Sequence, residues 1–216
     1  MRILSLRRTV FVAGALTLAA LVARDAGAQG TQPVDPRTVP ELMPVFERAA
    51  QLGVPTGPLV AKARKAYLTP QVSTKEIREV LQGMTSRLVT ARDALAPVQD
   101  DAELDAGAEA LRHEVTPAML KKLRAAQRGR SIEVALGVLT QLVLQGVKPQ
   151  DAATKVATWL SAGATDGRIM AAAESVAGDV AAGLAPSRAL AVRSQGVLSL
   201  LPAPTQGTAA GQTNRQ

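Results

Sequence analysis

Asp105, Glu109 and the chain's single histidine, His113, are the residues whose types and spacing best suit chemistry. Helical positions four apart lie one above the other, so the stretch DAELDAGAEALRHE would line up two carboxylates and an imidazole on one face. Such a row could hold a divalent cation or carry a general acid–base step. The same residues equally suit a solvated helix, because acids near its N-terminus and a histidine near its C-terminus both complement the helix dipole. A second histidine or an HExxH pair would favour the metal reading, and the chain has neither. The solvated face is the favoured reading, with these three residues kept as the catalytic candidates.

Asp101-x-Glu103-x-Asp105 shares the alternating oxygen groups of a calcium loop. Its sixth position would be Ala106 rather than glycine, and its twelfth Arg112 rather than glutamate, so the frame fails. It reads better as a helix start, with Asp100 or Asp101 capping and Glu103 assisting. Lys121, Lys122, Arg124, Arg128 and Arg130 form the densest basic cluster, to which Lys62, Arg64 and Lys65 could add. A patch of this kind would attract anionic lipid headgroups, lipopolysaccharide or an acidic protein. Its plain alternative is the outer face of a helix whose inner face carries Leu120 and Leu123. Trp159 shares an apolar stripe with Val156 and Leu160 and reads as core. The sequence contains no GxSxG, no Ser-x-x-Lys and no phosphate-cradling glycine motif, so neither a cofactor nor a metal is expected.

Six apolar pairs five residues apart point to the elements that carry these groups: Val54/Leu59, Val72/Ile77, Val115/Leu120, Val147/Ala152, Ala164/Ile169 and Leu184/Ala189. Each first member is followed by turn or helix-starting residues, among them Ser73, Thr116-Pro117, Lys148-Pro149, Thr165-Asp166 and Ala185-Pro186. Five is the spacing of the hydrophobic staple at a helix entry, and proline fits the first helical turn. Gly53, Gly146, Gly163 and Gly183 stand directly before four of the pairs, where each would end the preceding helix. Apolar stripes agree: Ile77, Leu81, Met84, Leu88, Ala91 and Leu95 on a long helix from about Thr74, then Ala152, Val156, Trp159 and Leu160, then Ile169, Ala173, Val176 and Val180. Ile132 to Leu144 is apolar on most of its circumference and reads as the central buried helix. The expected fold class is all-α: short helices joined by tight Gly/Pro turns, in an irregular helix–turn–helix stack or an orthogonal bundle spanning residues 39–201.

The repeated Gly-Val-x-Pro helix starts, together with the N-terminal segment described next, resemble uncharacterised exported helical proteins of Gram-negative bacteria. The resemblance covers about residues 45–200. It implies an all-helical exported domain and no particular activity.

Residues 1–28 have the layout of a signal peptide. Arg2, Arg7 and Arg8 precede an apolar run from Thr9 to Ala23, and Ala26-Gly27-Ala28 supplies small residues for cleavage after Ala28. The run is short of the roughly 20 apolar residues that span a bilayer, so no transmembrane anchor is expected after cleavage. Arg7-Arg8 and Arg24 fit the twin-arginine route; Leu6, where Ser or Thr is usual, favours general secretion. The implied location is periplasmic or secreted. Segments 29–38 and 202–216 read as disordered.

Removing residues 1–28 takes four cations from 25 and one anion from 18, leaving a charge of +4. That is too weak to argue for nucleic acid. Aromatic residues are 2% of the chain, which disfavours base- or sugar-stacking sites, and with no cysteine there is neither thiolate chemistry nor a lipoprotein anchor. These features lead to a non-enzymatic envelope protein acting as a protein-interaction or structural module, its partner another envelope protein or an anionic surface. The alternatives are an enzyme with a spatially assembled site around Glu109 and His113, and a carrier of a small apolar ligand.

Overall fold

Helix follows helix through the computed structural model, which describes residues 35–199 apart from Pro70 and Arg128. The helices are α1 (Met43–Gln51), α2 (Gly57–Tyr67), α3 (Thr74–Leu95), α4 (Asp101–Arg112), α5 (Pro117–Ala126), α6 (Glu133–Leu144), α7 (Pro149–Ser161), α8 (Asp166–Ala181) and α9 (Pro186–Ser199). No strand occurs among the described residues, so the fold is all-α as the patterns require. The expected signal peptide and the C-terminal tail 202–216 lie outside the described residues, as do residues 29–34 and Arg128. Asp35 to Thr38, read from sequence as part of a disordered segment, is instead built into a 3-10 turn. Asp35 accepts a hydrogen bond from the Arg37 backbone at 3.0 Å, and Pro36 is buried.

Local chemistry sets the helix boundaries. Ser73 Oγ accepts from the Glu76 N–H at 3.2 Å while Glu76 Oε2 accepts from the Ser73 N–H at 2.8 Å, a reciprocal box that satisfies two orphan donors of α3. These bonds hold the Glu76 carboxyl below its usual pKa. Thr116 caps α5 through the Met119 N–H, and Pro117 follows it. All four expected glycine stops have positive φ. At Gly146, φ is +90°; its N–H reaches Val143 O at 2.9 Å, and the Val147 N–H reaches Leu142 O at 3.1 Å. This is a Schellman closure. Val147 then sits just before Lys148 and Pro149, so one buried residue both closes α6 and staples α7 through Ala152. A fifth such closure ends α4, with Glu114 (φ +63°) in the glycine's place and Val115 donating to Ala110 O. Both members are buried in four of the six apolar pairs; Val72 and Leu184 are 39% and 38% exposed, so those two staples are looser.

The helices form two rows. α1, α3, α5, α7 and α9 pack each on the next, as do α4, α6 and α8, and the α3–α4, α6–α7 and α8–α9 contacts join the rows. α6 packs on α4, α7 and α8, and its Leu136, Leu139 and Leu142 are fully enclosed. The stripe Ile77, Leu81, Leu88, Ala91 and Leu95 is buried, with Met84 packed partly against it, and Trp159 is wholly inside. Trp159 lies on α7, which packs on α5, α6 and α9.

Candidate functional site

Asp100 starts α4 as expected: its Oδ1 accepts from the Glu103 N–H at 2.7 Å. From there the helix presents two unlike faces. Asp105, Glu109 and His113 run along the wetter one. His113 is the C-cap, and its Nε2 lies 3.1 Å from Glu109 Oε1, which also accepts from Arg112 at 3.1 Å. Asp105 makes no side-chain hydrogen bond among the described residues, so the row brings two of its three members together.

Electrostatics separates the two carboxylates. Partial burial, with the charge of Glu109 one turn away, pushes the Asp105 carboxyl above its usual pKa, against the pull of Lys62 on α2. Burial also acts upward on Glu109, but the His113 hydrogen bond, Arg112 and Lys62 outweigh it and leave that carboxyl below its usual pKa. The Glu109–His113 contact is a side-chain hydrogen bond between residues one turn apart at the C-terminal end of the helix. No group of three or more Asp, Glu or His among the described residues is placed to share a metal ion.

The basic cluster does not assemble as the sequence suggested. Lys121 and Lys122 are exposed, and Lys122 Nζ bonds Thr154 Oγ1 at 3.1 Å. Arg130 faces Asp166 at 3.4 Å, and Arg128 is outside the described residues. Arg124 must be withdrawn from the surface. It is 6% exposed, and its guanidinium pairs with Glu103, which is wholly buried on the second face of α4. Arg124 Nε donates to Leu95 O at 3.1 Å, and Nη1 donates to Gln127 O at 3.2 Å and Arg130 O at 3.0 Å. Glu103 Oε2 accepts from the Gln99 N–H at 2.9 Å. The pair thereby ties α4 and α5 to the end of α3. A signal for it was present in the sequence: Arg124 stands four residues after Leu120 and one after Leu123, inside the apolar stripe rather than opposite it.

Lys62 and Lys65 do not join α5; they line a groove of about 720 Å³ between α2, α3 and α4. Its floor is the outer stripe of α3, where Val80 (48% exposed), Gly83 and Met84 lie at helical spacing. Ala61 and Ala66 on α2 extend the apolar surface. Asp105 and Glu109 form the opposite wall, with Arg112 beside them; Glu79 and Arg87 stand along α3 itself. A second, smaller groove of about 420 Å³ separates α4 from α6, and Asp105 and Glu109 line that one too. The two carboxylates thus occupy a ridge between grooves rather than the bottom of a pocket.

No protein-family model, curated protein or solved structure matches this chain.

Proposed function

We propose that this protein is a non-enzymatic module of the cell envelope that works by binding another protein, and that the α2–α3–α4 groove is the contact surface. The observation that carries this reading is the groove's composition. An apolar floor of Val80, Met84 and the α2 alanines lies between charged borders, which is how helix- and strand-binding surfaces combine affinity with register. The Asp105–Glu109–His113 row supports it by contrast, because only Glu109 and His113 touch, in a local hydrogen bond at a helix end. Of the basic cluster, Arg124 is buried against Glu103, Lys122 bonds Thr154 and Arg130 faces Asp166, which favours a protein partner over an anionic surface. Export through the N-terminal segment would place this contact in the periplasm or outside the cell.

A photo-crosslinking amino acid at Val80, compared with one at the equally exposed Val192 of α9, tests the reading in cells. One envelope protein captured from Val80, not from Val192, and lost when Met84→Glu charges the floor is the expected outcome. Equal capture from both positions, or from neither, would overturn it.

A further inference from the structure

The groove lies where the packing of the stack is interrupted. In the row containing α4, α6 and α8, each helix packs on the helix two places along. α2 continues that row in sequence and packs on α3, yet it makes no comparable contact with α4. Elsewhere α1–α3, α3–α5, α5–α7 and α7–α9 all keep this contact, so the α2–α4 step is the break in an otherwise repeated arrangement. The groove fills that break, and along its floor on α3 Val80 is exposed while Gly83, Met84 and Arg87 are half-buried. Val80, Gly83, Met84 and Arg87 follow the i, i+3, i+4, i+7 spacing that two packed helices share.

The walls differ in sign. α2 contributes Lys62 and Lys65, neither of which has a carboxylate within salt-bridge distance among the described residues. α4 contributes Asp105, equally unpaired, and Glu109, which Arg112 partly neutralises. An anionic polymer or headgroup layer would meet Asp105 and Glu109 as like charges, whereas a helix with an acidic flank and a basic flank would meet each wall with the opposite one.

We propose that the occupant of the groove is an amphipathic helix of a protein partner, its apolar stripe on Val80 and Met84, its acidic flank on Lys62 and Lys65 and its basic flank on Asp105. This rests on the reading of the groove as the contact surface and specifies the partner's chemistry. Met84 suits the role because an unbranched thioether adapts to the knobs of a second helix. The partner helix then lies where a directly packed neighbour of both α2 and α4 would lie.

The test uses three synthetic helical peptides of about 14 residues, ~21 Å long, with the same leucine stripe. One carries glutamates on one flank and lysines on the other, one carries glutamates on both, and one lysines on both. Binding is measured by calorimetry at low and physiological salt. The bipolar peptide should bind at least about tenfold tighter than either single-sign peptide, and the advantage should shrink with salt. In the Lys62→Glu/Lys65→Glu protein, both of whose walls are acidic, the preference should pass to the all-lysine peptide, with unchanged circular dichroism showing that the fold is kept. Equal affinities for all three peptides would overturn the charge pattern while leaving the groove as a contact surface. No binding by any peptide, with Val80 crosslinks still found in cells, would overturn the helical occupant alone; no binding and no crosslinks would remove both readings. Self-association of the protein that Met84→Glu abolishes would identify a second copy as the occupant and overturn a separate partner.

Discussion

Each of the two faces of α4 carries acid, and the acids do different work. On one face Glu103 is enclosed, meets Arg124, and accepts the backbone of the preceding turn. Two residues on, Asp105 begins a row that borders two grooves and ends in the Glu109–His113 hydrogen bond at the helix terminus. Glu103 on one face and Asp105 and Glu109 on the other are all carboxylates, so residue type alone does not tell them apart. Burial and partner do. A carboxylate wholly removed from water needs a charge and hydrogen-bond donors around it, and such a group serves to hold elements together. One left half in water keeps its charge available to something outside the molecule.

The largest effect should come from breaking the enclosed pair. Glu103→Ala leaves the Arg124 guanidinium buried without its anion and should cost about 3–5 kcal/mol in a urea titration. Glu103→Leu combined with Arg124→Met should recover most of that loss. A double variant no more stable than the single would show that the hydrogen bonds of Arg124 to Leu95, Gln127 and Arg130 dominate instead. Gly107, on the same inner face, comes next. A Cβ there would stand 2.6 Å from Leu95 Cδ1 and 3.2 Å from Ala91 Cβ. Gly107→Val should therefore destabilise by about 1–3 kcal/mol through overpacking of α4 on α3, and wild-type stability would mean that the helices part freely at this point.

Glu114, where the faces end, should respond in the opposite direction. It holds the left-handed position that Gly53, Gly146, Gly163 and Gly183 fill after α1, α6, α7 and α8, so Glu114→Gly should add about 0.5–1 kcal/mol. The smallest effects belong to the wetter face, and there the sign is informative. Asp105 has a raised pKa, so its ionised form opposes folding at neutral pH and is relieved as pH falls through its folded pKa. Glu109 has a lowered one, so its contribution is full above the unfolded carboxyl pKa and is lost as pH falls through the folded value. At neutral pH Asp105→Asn should raise the melting temperature slightly and Glu109→Gln lower it, each by under about 1 kcal/mol given solvent screening. The two differences should converge in melts repeated at successively lower pH, as both carboxyls become protonated in the folded state. Shifts of the same sign would break the distinction drawn between the two carboxylates.

Much of the scaffold was legible because its causes are local. Thr116 before Pro117, Gly146 before Val147 and the stripe from Ile77 to Leu95 each act within a turn or two, and each appears where the sequence places it. What escaped was long-range or depended on the third dimension. Arg124 was grouped with Lys121 and Lys122 by nearness in sequence, although its partner Glu103 lies on another helix. Glu114 carries no sign of its left-handed backbone, since the turn geometry there comes from Val115 and Ala110. The candidate row was read with its spacing right and its surroundings unknown. In sequence Lys62 and Lys65 are no more than possible additions to the basic cluster, and only the folding of α2 against α3 brings them opposite Asp105 and Glu109.

The two-row arrangement also bears on how quickly the chain can find its native state. Each major contact joins helices that are neighbours or one apart in the chain. Loop closure between such partners costs little entropy, and topologies dominated by near-sequence contacts fold in microseconds to milliseconds. Assembly can therefore proceed by accretion, each newly formed helix docking on one already in place, without waiting for the far terminus to return.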